Sequence, residues 1–190
     1  MGFEQILGDA LALQNEHQGL VQVIKFFTSV STIDAAIFPA EDWISASRPL
    51  IDFSLPDRNG RDWTLADLKG KTTFISIWAQ WCPPCREELP QVQALYQKLA
   101  GRKDVQLVTF NVDSEKLLVE PFLKENNYSF PVVYAGSDFT DIILQKAWSD
   151  GIPQVWISDS SGVIRFRETG YTASNTQWLE NALATIDKVR

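Results

Sequence analysis

The sequence contains few of the residues that bind metals or cross-link chains. Its 190 residues include two cysteines, one histidine and one methionine. A structural zinc site needs four ligands, and the histidine, His17, stands far from both cysteines in the chain. The sequence therefore predicts no metal site. Two cysteines are also too few for a disulfide-stapled miniprotein, and a chain of this length buries enough surface to fold without such staples.

An excess of positive charge and long apolar runs are also absent. The chain carries 24 acidic and 17 basic residues, a net charge of −7, so we expect no nucleic acid partner. The longest apolar stretch, residues 20–30, contains several polar residues and is shorter than the ~20 apolar residues of a membrane helix. The first basic residue is Lys25, so the sequence predicts no secretory signal peptide.

The hydrophobic pattern changes near residue 48. In residues 1–47, apolar side chains such as Phe3, Ile6 and Leu7 recur at helical spacing and predict a helical N-terminal extension, with a flexible tail as the alternative. In residues 48–190, short β-type runs separated by turn residues alternate with helical segments. This order predicts an α/β domain with a mixed central sheet flanked by helices.

Several segments of this domain carry a clear secondary-structure pattern. Residues 73–78 form an almost continuous apolar or β-branched run, which is typical of a strand buried on both faces of a sheet. Asn59-Gly60 is a strong turn signal. The other predicted strands are 51–55, 61–64, 105–112, 130–134, 154–157 and 163–168, and the predicted helices are 86–99, 117–125, 142–148 and 174–189.

Both cysteines fall in one short motif, Trp81-Cys-Pro-Pro-Cys85, directly after the buried strand and at the start of a predicted helix. A structural disulfide is one interpretation, but a bridge across two residues would constrain the unfolded chain very little. A redox role has a physical reason. The free N–H groups and the positive dipole end of a helix N-terminus stabilise a thiolate, the attacking species in disulfide exchange.

The motif belongs to a longer pattern that resembles one family. The segments DFSLPD at 52–57, LADLKGK at 65–71 and WAQWCPPCREELP at 78–90 resemble the TlpA/ResA-like thiol-disulfide oxidoreductases of the thioredoxin superfamily. GIPQVWI at 151–157 looks like the cis-proline loop of that family. The resemblance implies a thioredoxin-like fold and a dithiol that acts on protein disulfides as a reductase or electron carrier, without a cofactor.

The resemblance also implies roles for individual residues. Cys82 is expected to be the exposed nucleophile that attacks a substrate disulfide, and Cys85, one turn along, to resolve the mixed disulfide. Pro153 is expected to be cis and to face Cys82, with the backbone of Ile152 available to an extended substrate peptide. Trp81 is expected either to form part of an exposed docking rim or to lie in the core.

Two prolines separate the cysteines and are expected to influence the reactive sulfur. If Cys82 is the N-cap, Pro83 and Pro84 occupy the first two helical positions and have no N–H groups. An N-cap side chain accepts from the second or third helical N–H, so only that of Cys85 is expected to reach the Cys82 sulfur.

Two polar residues near the motif, Glu88 and Ser76, indicate how protons can be transferred. Glu88 matches an acidic position of the family and is expected either to tune the cysteines or, with Glu87, only to complement the helix dipole. Ser76 stands where thioredoxins carry a buried aspartate, and a serine cannot act as an internal base near neutral pH. Proton transfer is therefore expected to use water or Glu88.

Two other functions stay open. A peroxiredoxin-like thiol peroxidase shares the opening at 52–71, but the Pro-x-x-x-Thr-x-x-Cys turn expected before its reactive cysteine is absent from residues 74–82. A non-catalytic protein-interaction module is the second alternative. The resemblance favours a bacterial periplasm or cell envelope, with a membrane thiol relay as a possible electron donor.

Overall fold

The computed structural model of the protein describes residues 43–136 and 151–189. Over these ranges the strands are β1 (Ile44–Pro49), β2 (Ser54–Pro56), β3 (Asp62–Thr64), β4 (Thr72–Trp78), β5 (Val105–Asn111), β6 (Val132–Tyr134), β7 (Gln154–Ser158) and β8 (Val163–Thr169), and the helices are α1 (Leu65–Leu68), α2 (Pro83–Lys98), α3 (Lys116–Glu125) and α4 (Trp178–Lys188). The helix predicted at 142–148 and the predicted helices of residues 1–42 lie outside the described residues.

Six strands form the main sheet, in the order β1-β8-β7-β4-β5-β6. Strands β4, β5 and β6 run parallel, whereas β7, β8 and β1 continue the sheet by antiparallel pairing. Strands β2 and β3 form a separate hairpin. The predicted α/β fold with a mixed sheet is confirmed.

Strand β4 lies in the middle of this sheet and leads to the cysteine motif. All seven of its residues are buried, as its apolar sequence predicts. Because β4 and β5 are parallel, their carboxyl ends lie at the same edge of the sheet. Helix α2 begins at Pro83, only a short loop beyond the end of β4.

The core beside α2 and α4 combines aromatic packing with buried polar groups. These two helices pack against each other. Phe74 of β4 and Trp178 of α4 meet edge to face, with ring centroids 6.0 Å apart. Burying one large apolar side chain contributes about 1.5–3 kcal/mol, so such contacts fix α4 on the sheet. Ser76, Glu88 and Glu168 are also buried.

The structure places the start of the domain earlier in the chain than the sequence predicts. The sequence places residues 44–47 in the helical extension, but in the structure they belong to β1, which pairs with β8. Trp43 packs against Phe74, with ring centroids 6.3 Å apart. The signal is weak because β1 is a largely exposed edge strand with few large apolar residues. Across the two described ranges, no helix has the length and apolarity needed to span a membrane.

Candidate active site

The two cysteines form a disulfide at the start of α2, with their Cα atoms 5.3 Å apart. Cys82 is the N-cap residue, and its sulfur accepts the N–H of Cys85 at 3.3 Å. Pro83 and Pro84 occupy the first two helical positions, where proline is tolerated because those N–H groups have no partner within the helix. The structure thus agrees with the assumption that Cys82 is the N-cap with a single backbone donor to its sulfur, although the helix begins at Pro83 and not at the predicted residue 86.

The expectation that Cys82 is openly exposed needs correction. Its side chain is buried in the disulfide form, with 3% of the residue exposed against 0% for Cys85. Two contacts explain this burial. The Cys82 sulfur is bonded to Cys85, and it lies 3.7 Å from the carbonyl oxygen of Ile152. Cys82 is still the cysteine that lies nearer to solvent.

The loop before β7 covers this sulfur. The Ile152–Pro153 peptide bond is cis, as the resemblance implies. The carbonyl of Pro153 accepts the N–H of Gly170 at 2.9 Å, and the side chain of Gln154 donates to the carbonyl of Gly151 at 2.8 Å. These bonds fix the loop at both ends, so that the Ile152 backbone lies beside Cys82.

Trp81 lies on the surface next to the disulfide. It is 65% exposed, so it does not lie in the core, and its role in docking stays a prediction. An exposed indole beside a reactive sulfur offers a partner protein a large apolar contact area.

The loop that carries Trp81 is tied to the end of β5 by a residue that the sequence analysis did not identify. Asp113 accepts the backbone N–H of Gln80 at 2.8 Å and the side-chain amide of Asn111 at 2.7 Å through the same carboxylate oxygen. Asp113 is 5% exposed. An acidic residue just after a predicted parallel strand, at the edge where the motif begins, was the available signal.

Glu88 lies one turn after Cys85 and is fully buried. The hydroxyl of Ser76 donates to one of its carboxyl oxygens at 3.3 Å, while the other has no hydrogen-bond partner among the described residues. Burial, together with the negative charge of Glu168, raises the pKa of Glu88 well above its usual range. The helix-dipole alternative therefore does not fit Glu88, whereas Glu87 is exposed.

Sequence reasoning also missed Glu168, which lies on β8 and is 3% exposed. Its carboxylate accepts the indole N–H of Trp178 at 2.9 Å. Strand β8 alternates between inward and outward positions, and Glu168 takes an inward position that an apolar residue normally fills. A charged residue at an inward position of a predicted strand was the sequence signal that could have identified Glu168. The described part of the chain holds no group of three His, Cys, Asp or Glu side chains placed to bind a metal ion.

The site thus combines a helix-capping disulfide, a covering loop and a buried carboxyl group. Comparison with known proteins identifies the family to which the chain belongs. The profile of the AhpC/TSA family matches residues 46–167. The chain belongs to the AhpC/TSA family. This AhpC/TSA-family chain is 31% identical over 139 residues to the thiol-disulfide oxidoreductase ResA of Geobacillus thermodenitrificans, covering 73% of this chain and 78% of that protein. It is 37% identical over 102 residues to ResA of Bacillus subtilis, covering 54% and 56%.

Solved structures agree with this assignment. StoA from Bacillus subtilis matches with a TM-score of 0.56 and 29% identity, over 70% of this chain and 96% of that one. A thiol:disulfide interchange protein DsbE, described as putative, from Chlorobium tepidum matches with a TM-score of 0.64 and 25% identity, over 75% and 99%. This member of the AhpC/TSA family is a ResA/TlpA-like thiol-disulfide oxidoreductase.

Proposed function

We propose that Cys82 and Cys85 form a dithiol that reduces protein disulfides, with Cys82 as the attacking residue and Cys85 as the resolving residue. The observation that carries this proposal is the hydrogen bond from the Cys85 N–H to the Cys82 sulfur at the helix N-cap. The same donor stabilises a Cys82 thiolate once the disulfide is reduced. Cys85, inside the first turn and 0% exposed, is placed to react only within the protein.

The reaction proceeds by two exchanges. The Cys82 thiolate bonds to one sulfur of the substrate disulfide, and the other substrate sulfur leaves with the electron pair as a thiolate. Cys85 then loses its proton and attacks the Cys82 sulfur, which releases the second substrate thiolate and closes the Cys82–Cys85 disulfide. The substrate gains two electrons and the protein loses two. Glu88, one helical turn from Cys85, is the proposed acceptor of the Cys85 proton.

The substrate is proposed to bind across the sulfur from the covering loop to the exposed tryptophan. The backbone at Ile152 offers pairing to an extended peptide beside Pro153, and Trp81, next to Cys82 in the chain, offers an exposed apolar contact. A site that binds an extended peptide through its backbone accepts many different side-chain sequences. We therefore expect a preference for accessible disulfides in flexible segments.

A dithiol donor must restore the reduced pair after each cycle. We propose that this donor is a membrane thiol relay at a bacterial cell envelope, which fits a chain of the ResA/TlpA type. The direction of electron flow is tested by the reduction potential of the Cys82/Cys85 pair. A reductase requires a value close to that of thioredoxin, about −270 mV, and a value close to that of DsbA, about −120 mV, would contradict the proposal.

Insulin reduction by the full chain tests the activity. Wild type with dithiothreitol is expected to accelerate the precipitation of insulin chains, and Cys82→Ser is expected to lose this acceleration. Hydrogen peroxide consumption, measured in parallel, separates the peroxidase alternative. Peroxide turnover without insulin reduction would favour the peroxidase, and equal activity of wild type and Cys82→Ser in both assays would favour a non-catalytic module.

A further inference from the structure

Two buried glutamates face one compartment between the sheet, α2 and α4. Ser76, Val155 and Glu168 are paired across β4, β7 and β8, so their side chains leave the sheet on the same face. Glu88 reaches this face from α2, where it accepts the Ser76 hydroxyl. Glu88 is 0% exposed and Glu168 is 3% exposed. Two carboxyl groups in one buried space cannot both be ionised without a large energetic cost.

Their hydrogen bonds indicate which of the two holds the proton. Glu168 accepts the indole N–H of Trp178 at 2.9 Å, and an indole N–H only donates, so this bond favours a charged Glu168. Glu88 accepts a longer bond, 3.3 Å, from the Ser76 hydroxyl. Its second oxygen has no partner among the described residues and is free to carry the proton. Burial and the charge of Glu168 also raise the pKa of Glu88.

From the parts of the chain that the structure describes, no compensating positive charge acts on Glu88. Among the described residues, the charged group that acts on Glu88 is Glu168. Tyr171, between β8 and α4, is half-buried, and its burial raises its pKa, so it stays neutral. The buried side chains of α4 are not titratable and are Trp178, Ala182, Thr185 and Ile186.

We propose that Glu168 is a positioning residue of the active site, whose carboxylate, fixed by Trp178, keeps the exchangeable proton on Glu88 beside Cys85. This inference rests on the proposed function, in which Glu88 exchanges a proton with Cys85. The proposal gives Glu168 on β8 and Trp178 on α4 a role in the redox reaction, although both residues lie outside the cysteine motif.

The proton has a defined path when a dithiol donor reduces the protein. A donor thiolate bonds to the Cys82 sulfur, the Cys82–Cys85 bond breaks, and its electron pair goes to the Cys85 sulfur. Glu88 gives its proton to that sulfur and becomes a carboxylate. The second donor thiol loses its proton to solvent and bonds to the first donor sulfur, the bond between that sulfur and Cys82 breaks, Cys82 leaves as a thiolate, and the donor is released as a disulfide. The proton returns to Glu88 when Cys85 later attacks the mixed disulfide with the substrate.

Infrared difference spectra between the oxidised and reduced full-length protein test this assignment. Near neutral pH, oxidised wild type is expected to show the C=O band of a protonated carboxyl group that disappears on reduction. Glu88→Gln is expected to lack the band. In oxidised Glu168→Gln, which keeps an acceptor for Trp178 but loses the charge, the band is expected to titrate at lower pH than in wild type. Glu87→Gln, which removes an exposed charge on the same helix, is the matched control and is expected to follow wild type.

A kinetic measurement provides the second readout. The rate of disulfide reduction by dithiothreitol, divided by the concentration of its thiolate, is expected to fall at high pH as Glu88 ionises. For Glu168→Gln this fall is expected to begin at lower pH, with a several-fold loss of rate above neutral pH and little change in mildly acidic solution.

The two proposals fail in different ways. Wild type that does not reduce insulin overturns the proposed function. Wild type that reduces insulin but shows no protonated carboxyl band, a result that needs no variant, overturns the role of Glu168. Titration of Glu168→Gln at the same pH as wild type overturns it as well.

Discussion

The sulfur of Cys82 accepts one backbone N–H group. At most helix starts, the N–H groups of both the second and the third helical residues can bond to the N-cap side chain. The second helical residue is Pro84, so the N–H of Cys85 is the one that reaches the sulfur. This arrangement limits how strongly the helix start favours the thiolate. We therefore expect the second proline to keep the reduction potential of the pair lower than that of the same dithiol without it.

Replacing Pro84 with alanine is expected to add a donor to the Cys82 sulfur. A hydrogen bond to a charged group contributes about 1.5–3 kcal/mol, and 1.4 kcal/mol corresponds to ~30 mV for a two-electron couple. The reduction potential of Pro84→Ala is therefore expected to rise by some tens of millivolts, and thiolate absorbance is expected to appear at lower pH. Equilibration with glutathione and absorbance titration measure the two effects.

The matched control is Pro83→Ala. It restores an N–H at the first helical position, which does not bond to the N-cap side chain. Pro83→Ala is expected to leave both quantities close to wild type. Equal shifts in the two variants, or a fall in potential for Pro84→Ala, would contradict the counting of donors.

At the scale of elements, the active-site loop depends on the end of a neighbouring strand. Asp113 holds the N–H of Gln80 and the amide of Asn111 from its buried carboxylate. Asp113→Ala is expected to lower the free energy of unfolding by about 2 kcal/mol, since it leaves two buried donors without an acceptor. Insulin reduction is expected to fall as well, because the loop from β4 to Cys82 loses its tether. Urea unfolding and the insulin assay measure these effects.

Asp62→Ala, on the exposed side of β3, is the control for Asp113→Ala. It is expected to change neither the free energy of unfolding nor the activity beyond experimental error. A stable and fully active Asp113→Ala protein would show that the loop does not depend on this tether.

The turn between β7 and β8 makes stability depend on pH. Burial alone would raise the pKa of Asp159, but hydrogen bonds from the Ser161 hydroxyl, the Val163 N–H and Arg165 outweigh it and lower the pKa to about 2. An unfolded aspartate titrates at about 3.9, so the stabilisation is complete above that pH and is lost as the pH falls towards 2. The advantage of wild type over Asp159→Asn in urea unfolding is expected to shrink over this window. A constant difference would contradict the assignment.

Element boundaries were predictable where the local signal is strong. The run at 73–78 predicts β4 because every residue except Ser76 is apolar or β-branched, and the structure places it at Thr72–Trp78. Helix α2 begins at Pro83 and not at residue 86, since prolines that break a helix interior fit its first turn. Helix α4 begins at Trp178 and not at residue 174, because the polar residues before it form turns. Strand β1 was missed because an edge strand needs little apolar sequence.

At the scale of the whole molecule, β1 decides where the chain can be shortened. A chain that lacks residues 1–42 keeps Trp43 and all of β1, and we expect it to fold and to reduce insulin like the full chain. A chain that lacks residues 1–47 loses the Trp43–Phe74 contact and half of the residue pairs between β1 and β8. We expect it to be less stable by more than about 2 kcal/mol, as measured by urea unfolding. Loss of activity in a folded chain without residues 1–42 would instead place the extension in the active site.

The cysteine pair was predictable because its chemistry is local in the sequence. The motif itself specifies the helix cap, the two prolines and the order of the sulfurs. The compartment that holds Glu88 and Glu168 was not predictable. It depends on β8 lying two strands away from β4 and on the contact that Trp178 of α4 makes with Glu168. Such contacts depend on the order of the strands in the sheet, and the local sequence pattern does not predict that order.

The most direct test of the account is which cysteine bonds to the substrate. Reduced Cys85→Ser and Cys82→Ser proteins are each mixed with a protein disulfide, and non-reducing mass spectrometry locates the new bond. Cys85→Ser is expected to accumulate a mixed disulfide through Cys82, because the resolving sulfur is missing, and Cys82→Ser is expected to form none. Accumulation in Cys82→Ser without accumulation in Cys85→Ser would reverse the roles of the two cysteines and contradict the mechanism.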